Sequence, residues 1–92
     1  MRNEMGFVYC RTAVGQLVRG PMAEGTRNSV TIDTSCPPGT SLEGFFHTHP
    51  GGVNKPSHQD VRAAQASGVK NICIDADGRM QCYRVTRPGR RR

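Results

Sequence analysis

Ninety-two residues give room for one domain, since domains run from about 50 to 250 residues, and no apolar stretch approaches the ~20 residues that span a bilayer. The net charge of +6 is concentrated at the end: Arg87, Arg90, Arg91 and Arg92 leave residues 1–86 with only +2, so the body of the chain is nearly neutral. Leu, Ile, Val and Phe total 16, which implies a thin core that a metal or a partner has to reinforce.

In chain order, Met1-Arg2-Asn3-Glu4 lacks the apolar run of a signal peptide, which points to a cytoplasmic protein that does not enter membranes. Phe7–Arg11 reads as a β-strand, Ala13-Val14-Gly15 as a turn and Gln16–Arg19 as the returning strand, closed by Gly20-Pro21. Ser29–Ile32, rich in β-branched residues, predicts a third strand, and Cys36-Pro37-Pro38-Gly39 forbids regular structure after it. Leu42–His49 predicts the fourth strand, ended by Pro50-Gly51-Gly52. Ser57–Ser67 predicts the one helix: Ser57 suits the N-cap, Asp60 stands three residues on, alanines fill the middle and Gly68 stops it. Residues 69–75 and 79–85 make a closing hairpin around Asp77-Gly78, a pair suited to a tight reversal. The order is β-β-β-β-α-β-β, forming a domain over 1–86, and 87–92 form a basic, disordered tail.

Cys10, Cys36, Cys73 and Cys82 show no C-x-x-C spacing, so the cysteines read as buried thiols rather than zinc ligands. A two-residue turn at Asp77-Gly78 would set Cys73 opposite Cys82, where a cross-strand disulfide becomes geometrically feasible, although a reducing cytoplasm disfavours it.

The segment from His47 to Asp60 carries the chemistry. On an extended strand, side chains two residues apart share a face with Cα atoms about 6.5–7 Å apart, so His47 and His49 can converge on one cation. Asp60, in the first turn of the helix, can supply an oxygen as third ligand. Two imidazoles, a carboxylate and an open fourth position are the donor set of a catalytic zinc site, where a water is activated near neutral pH. Ser57 at the helix N-terminus can face charge developing on a carbonyl oxygen, besides capping the helix with Asp60. His58 reads as a solvated first-turn residue. For the base there are three candidates. Glu43 lies on the same strand face by alternation but about 13 Å from His47, Glu24 sits in a Gly/Pro-rich connection, and Glu4 reaches the site if its strand pairs beside Phe45–His49.

His47-x-His49-x7-Ser57-x-x-Asp60, set in Gly44-Phe45-Phe46-His47-Thr48-His49-Pro50, resembles the signature of the JAMM (MPN+) metalloproteases. The resemblance implies a cytidine deaminase-like α/β fold, a mixed β-sheet flanked by helix. It implies Zn2+ on His47, His49 and Asp60, Ser57 beside the reacting carbonyl, and Glu4, 43 residues before His47, as general acid/base. The activity it implies is that of an isopeptidase or peptidase acting at the C-terminus of ubiquitin-like or sulfur-carrier proteins. The alternatives are a non-catalytic MPN-type scaffold and a RadC-like DNA-associated protein. Only three residues precede Glu4 here, so the resemblance is to a minimal version of the domain, expected to lack most of the family's N-terminal helix. The sheet face that helix would cover is left for a partner, a homodimer included; nucleic acid is not the expected partner.

Overall fold

A computed structural model describes residues 2–86 of the chain, and the expected tail at 87–92 lies outside the described residues. Seven elements follow one another: β1 (Met5–Arg11), β2 (Leu17–Arg19), β3 (Ala23–Glu24), β4 (Ser41–Thr48), α1 (His58–Ser67), β5 (Asn71–Ala76) and β6 (Arg79–Arg84). They build one mixed sheet in the order β2-β1-β4-β5-β6, with β3 also paired to β1. Only β4 and β5 run parallel, because only they are joined by a helical crossover, α1; the other pairs are antiparallel. The result is a small α/β fold with a mixed sheet and one helix, and no helix among the described residues is long and apolar enough to cross a membrane.

The predicted order is observed, with one correction. Ser29–Ile32 is not a strand, and β3 lies earlier, at Ala23–Glu24. β1 is seven residues long, with one edge taken by β4 and the other shared by β2 and β3, so no edge of it is left for Ser29–Ile32. The β-branched residues there serve packing instead: Ile32 lies against the core cluster and beside Gly6. The remaining boundaries shift by one or two residues, β1 starting at Met5 and β4 ending at Thr48.

Alternation sends Val8 and Cys10 of β1, Phe45 of β4 and Ile72 and Ile74 of β5 to one face, where they bury against Ala64 of α1 and Val69. On the opposite face Phe7 stacks on Phe46 with ring centroids 4.9 Å apart, and the Arg19 guanidinium sits 5.5 Å from the Phe7 ring centre. Tyr9 lies over Gly44, where any side chain would collide with its ring. Among the described residues no helix covers this face.

The cysteines correct the reading of them as buried thiols: Cys10 is bonded to Cys36 and Cys73 to Cys82, leaving none free. The second bond follows from the turn. Asp77 and Gly78 take left-handed backbone angles (φ 53° and 93°), a two-residue reversal that sets Cys73 opposite Cys82. The first bond fastens the end of the irregular 25–36 segment to Cys10, next to the last residue of β1. With sequence separations of 26 and 9, removing Cys10–Cys36 by paired alanine substitution is expected to cost about 3.5 kcal/mol and removing Cys73–Cys82 about 2.5 kcal/mol by loop-closure entropy. Denaturant unfolding of the two double mutants checks the order, and equal losses would show that loop length does not govern it.

Candidate metal centre

β1 and β4 pair in a register that sets Gly6 opposite His47 and so brings Glu4, two residues earlier, level with His49. The approach is close. A Cβ on Gly6 would stand 2.8 Å from the Phe46 carbonyl oxygen and 2.9 Å from His47 Cβ and Ile32 Cδ1, so glycine is required there. Glu4 is fixed on its other side, its N–H donating to Thr26 O at 2.7 Å and its carbonyl accepting from Gly25 N at 2.9 Å. Its side chain is thereby buried against the site.

The third element is the start of α1. Ser57 is the N-cap (φ −77°, ψ 170°), and its hydroxyl oxygen accepts from Asp60 N at 3.1 Å, while Asp60 Oδ2 accepts from Ser57 N at 2.8 Å. This reciprocal capping box turns the Asp60 carboxylate back towards the strand ends.

The three side chains converge. His47 Nε2 and His49 Nε2 are 3.1 Å apart, and Asp60 Oδ2 lies 3.1 Å from the first and 3.3 Å from the second. Donors held about 2.0–2.1 Å from one tetrahedral metal ion are themselves about 3.3 Å apart, so the triangle has the size of a chelate. Glu4 is grouped with His47 and His49 as well, one ligand atom of each lying within 4.8 Å of the others. This cluster could hold a metal ion.

The donor chemistry fits the same conclusion. His49 Nδ1 lies 2.9 Å from Val53 O, and a carbonyl only accepts, so Nδ1 carries the hydrogen and the nitrogen left to offer a lone pair to a metal ion is Nε2, at the triangle. Two imidazole lone pairs and a carboxylate oxygen within 3.3 Å repel one another unless a cation or shared protons lie between them. His47 is buried, and its Nδ1 has no hydrogen-bond partner among the described residues.

Two carboxylates here differ in their affinity for protons. Burial acts to raise the Asp60 pKa, but the hydrogen bond with His47 and those from Ser57 outweigh it and hold the group at about 2. Glu4 is pushed up, chiefly by burial; the nearby His49 and His47 imidazoles pull it partly back and the Asp60 charge adds to the rise. One carboxylate is thus kept anionic while the other is brought nearer to proton exchange.

The other glutamates lie elsewhere. The β1/β4 pairing passes from Tyr9↔Gly44 to Cys10↔Leu42, skipping Glu43 at a bulge, so simple alternation does not locate its carboxylate. That carboxylate accepts from Arg11 Nε at 3.2 Å and Nη2 at 3.4 Å, which holds its pKa down. Glu24 accepts from Asn3 Nδ2 at 3.1 Å and is exposed. His58 is exposed in the first helical turn. Of the three candidate bases only Glu4 lines the cleft around the triangle.

That cleft, of about 630 Å3, has the start of α1 on one side and residues 27–32 on the other. The second wall is the segment expected to be a strand, and no periodicity in it signals a cleft. No family model, curated protein or solved structure matches the chain.

Ser57 closes the cap and also lines the cleft, and the two roles separate by substitution. Ser57→Ala is expected to lower stability by about 1 kcal/mol, and Ser57→Thr, which still caps, to recover most of it. Equal thermal unfolding of the two variants would show that the hydroxyl does not hold the helix end.

Proposed function

We propose that the chain is a zinc-dependent peptidase or isopeptidase of the JAMM type. The observation that carries the reading is the convergence of His47 Nε2, His49 Nε2 and Asp60 Oδ2 within 3.3 Å, with Glu4 beside them and Ser57 on the same cleft. In this reading His47, His49 and Asp60 hold the ion. Zinc suits two imidazoles and a carboxylate, and three protein ligands leave a position free for chemistry. The sheet order, the β4-α1-β5 crossover and the position of the helix N-terminus beside the strand ends fit a compact cytidine deaminase-like domain.

A zinc ion held there supplies an activated water and polarises a carbonyl. Glu4 takes a proton from the attacking water and returns it to the amine as the C–N bond breaks, a cycle favoured by a carboxylate whose pKa is raised by burial. Ser57 Oγ accepts from Asp60 N, and its O–H, turned from the Asp60 carboxylate to the carbonyl oxygen, donates there as negative charge grows. Asp60, kept anionic by His47 and Ser57, is the poorer base and the better ligand.

A trough of about 630 Å3 takes a short stretch of peptide rather than a folded domain. The substrates proposed are therefore proteins with a slender C-terminal tail, the ubiquitin-like and sulfur-carrier proteins. The two disulfides favour an oxidising compartment over the cytoplasm expected from the N-terminal residues.

Purified protein is expected to hold about one zinc per chain, to melt at a lower temperature in chelator and to cleave a ubiquitin-like fusion only with metal present. Alanine at His47, His49 or Asp60 should remove the metal. Stoichiometric zinc in the His47→Ala/His49→Ala double mutant would refute the site. Glu4→Gln separates base from ligand: zinc content stays near wild type while turnover falls by ~10²–10⁴-fold. Full turnover in Glu4→Gln would remove Glu4 as the base. Cleavage of no fusion by the zinc-loaded wild type would favour the scaffold.

A further inference from the structure

The loop after the histidine pair, residues 50–54, contains the carbonyl that orients His49, yet the core does not hold it. Gly51, Gly52 and Val53 are exposed, Val53 by 65%. Its anchors are polar and come from the β5–β6 hairpin. At the hairpin tip Asp77 Oδ2 accepts from Gly51 N at 2.9 Å, and Asp77 Oδ1 accepts from Arg2. At the loop's other end Tyr83 Oη donates to Asn54 O at 2.7 Å, and Asn54 Nδ2 reaches Arg79 O at 3.4 Å. Val53 O lies between these anchors and accepts His49 Nδ1–H at 2.9 Å.

We infer that Asp77 and Tyr83 are positioning residues for His49: they dock the 50–54 loop on the terminal hairpin so that Val53 O fixes the tautomer and ring orientation of a metal ligand. The inference rests on the metal reading above. Groups that orient a ligand histidine change metal affinity by about 10–100-fold when lost, because a ring free to turn or to carry its hydrogen on the other nitrogen presents no fixed lone pair. The anchors suit the task. The hairpin is stapled by Cys73–Cys82, and His49 N itself donates to Asp75 O at 2.9 Å, so the loop, the ligand and the hairpin form one hydrogen-bonded unit. Asp77 sits at φ 53°, a backbone angle that aspartate, asparagine and glycine tolerate and that branched residues do not.

The test uses the full chain and zinc itself, with affinity read by competition against a chromophoric chelator. Tyr83→Phe keeps the ring and deletes only the hydroxyl, and is expected to weaken zinc binding about tenfold, the lower end of that range, with the metal-free melting temperature little changed. Asp77→Gly keeps the left-handed turn but removes the acceptor and should weaken binding likewise, while Asp77→Asn, which retains an oxygen, should bind close to wild type. Tyr9→Phe, on the opposite sheet face, is the control expected to bind as wild type. Unchanged zinc affinity in both Tyr83→Phe and Asp77→Gly would overturn the inference. A second readout needs no metal: exchange of the His49 Nδ1 proton, followed by NMR in the metal-free protein, should be slow in wild type and faster in Tyr83→Phe. If wild type bound no zinc, the metal reading would fail, and this exchange rate alone would decide the positioning role, equal rates overturning it.

Discussion

The pairing of β1 with β4 is the constraint on which the rest depends. Glu4 and the histidines are more than forty residues apart in sequence, and only the register Gly6↔His47 brings the glutamate level with His49. A slip of one residue would send the Glu4 side chain to the other face of the sheet, because side chains alternate with period two. Gly6 secures the contact by absence: the space its side chain would need is filled by the Phe46 carbonyl, His47 and Ile32. The same register buries Val8 and Cys10 against Phe45, so the core and the site are set by one alignment.

Around that alignment, local rules do double service. Strand periodicity directs His47 and His49 to one side, and the capping box that begins α1 turns Asp60 towards them. Asp60 Oδ2 satisfies the Ser57 N–H and lies 3.1 Å from His47 Nε2 with the same oxygen. The residue that stabilises the helix end therefore also completes the triangle. Hydrogen bonding then separates two carboxylates that burial pushes the same way: His47 and Ser57 hold Asp60 anionic, while the Glu4 pKa stays raised.

The thin core leaves part of the structure to covalent and polar ties. Residues 25–36 have no ladder of their own, yet they form a wall of the cleft. They are held at both ends, by backbone bonds to Glu4, just before β1, and by the Cys10–Cys36 bond to β1 itself. In between, Ile32 packs on the core. The wall facing the candidate metal ligands is thus fastened to β1 and to Glu4 just before it.

The sequence by itself determined whatever depends on neighbours in the chain. The helix with its Ser57 cap and Gly68 stop, the Asp77-Gly78 reversal and the side-by-side placement of His47 and His49 all follow from periodicity and turn chemistry within a few residues. The motif they form was legible for the same reason. What depends on distant pairing was not. Ser29–Ile32 has the composition of a strand, but whether a strand forms depends on a free edge, and the edges of β1 were already taken. Spacing left three glutamates open as the base. The tertiary structure put Glu4 in the cleft and gave Glu43 to Arg11, through a bulge that breaks the alternation from which its position had been read. The Cys10–Cys36 bond likewise joins residues that no local rule relates. Side-chain direction along one element is set by backbone geometry, whereas the choice of partner among elements is set by packing, and only the folded chain makes that choice.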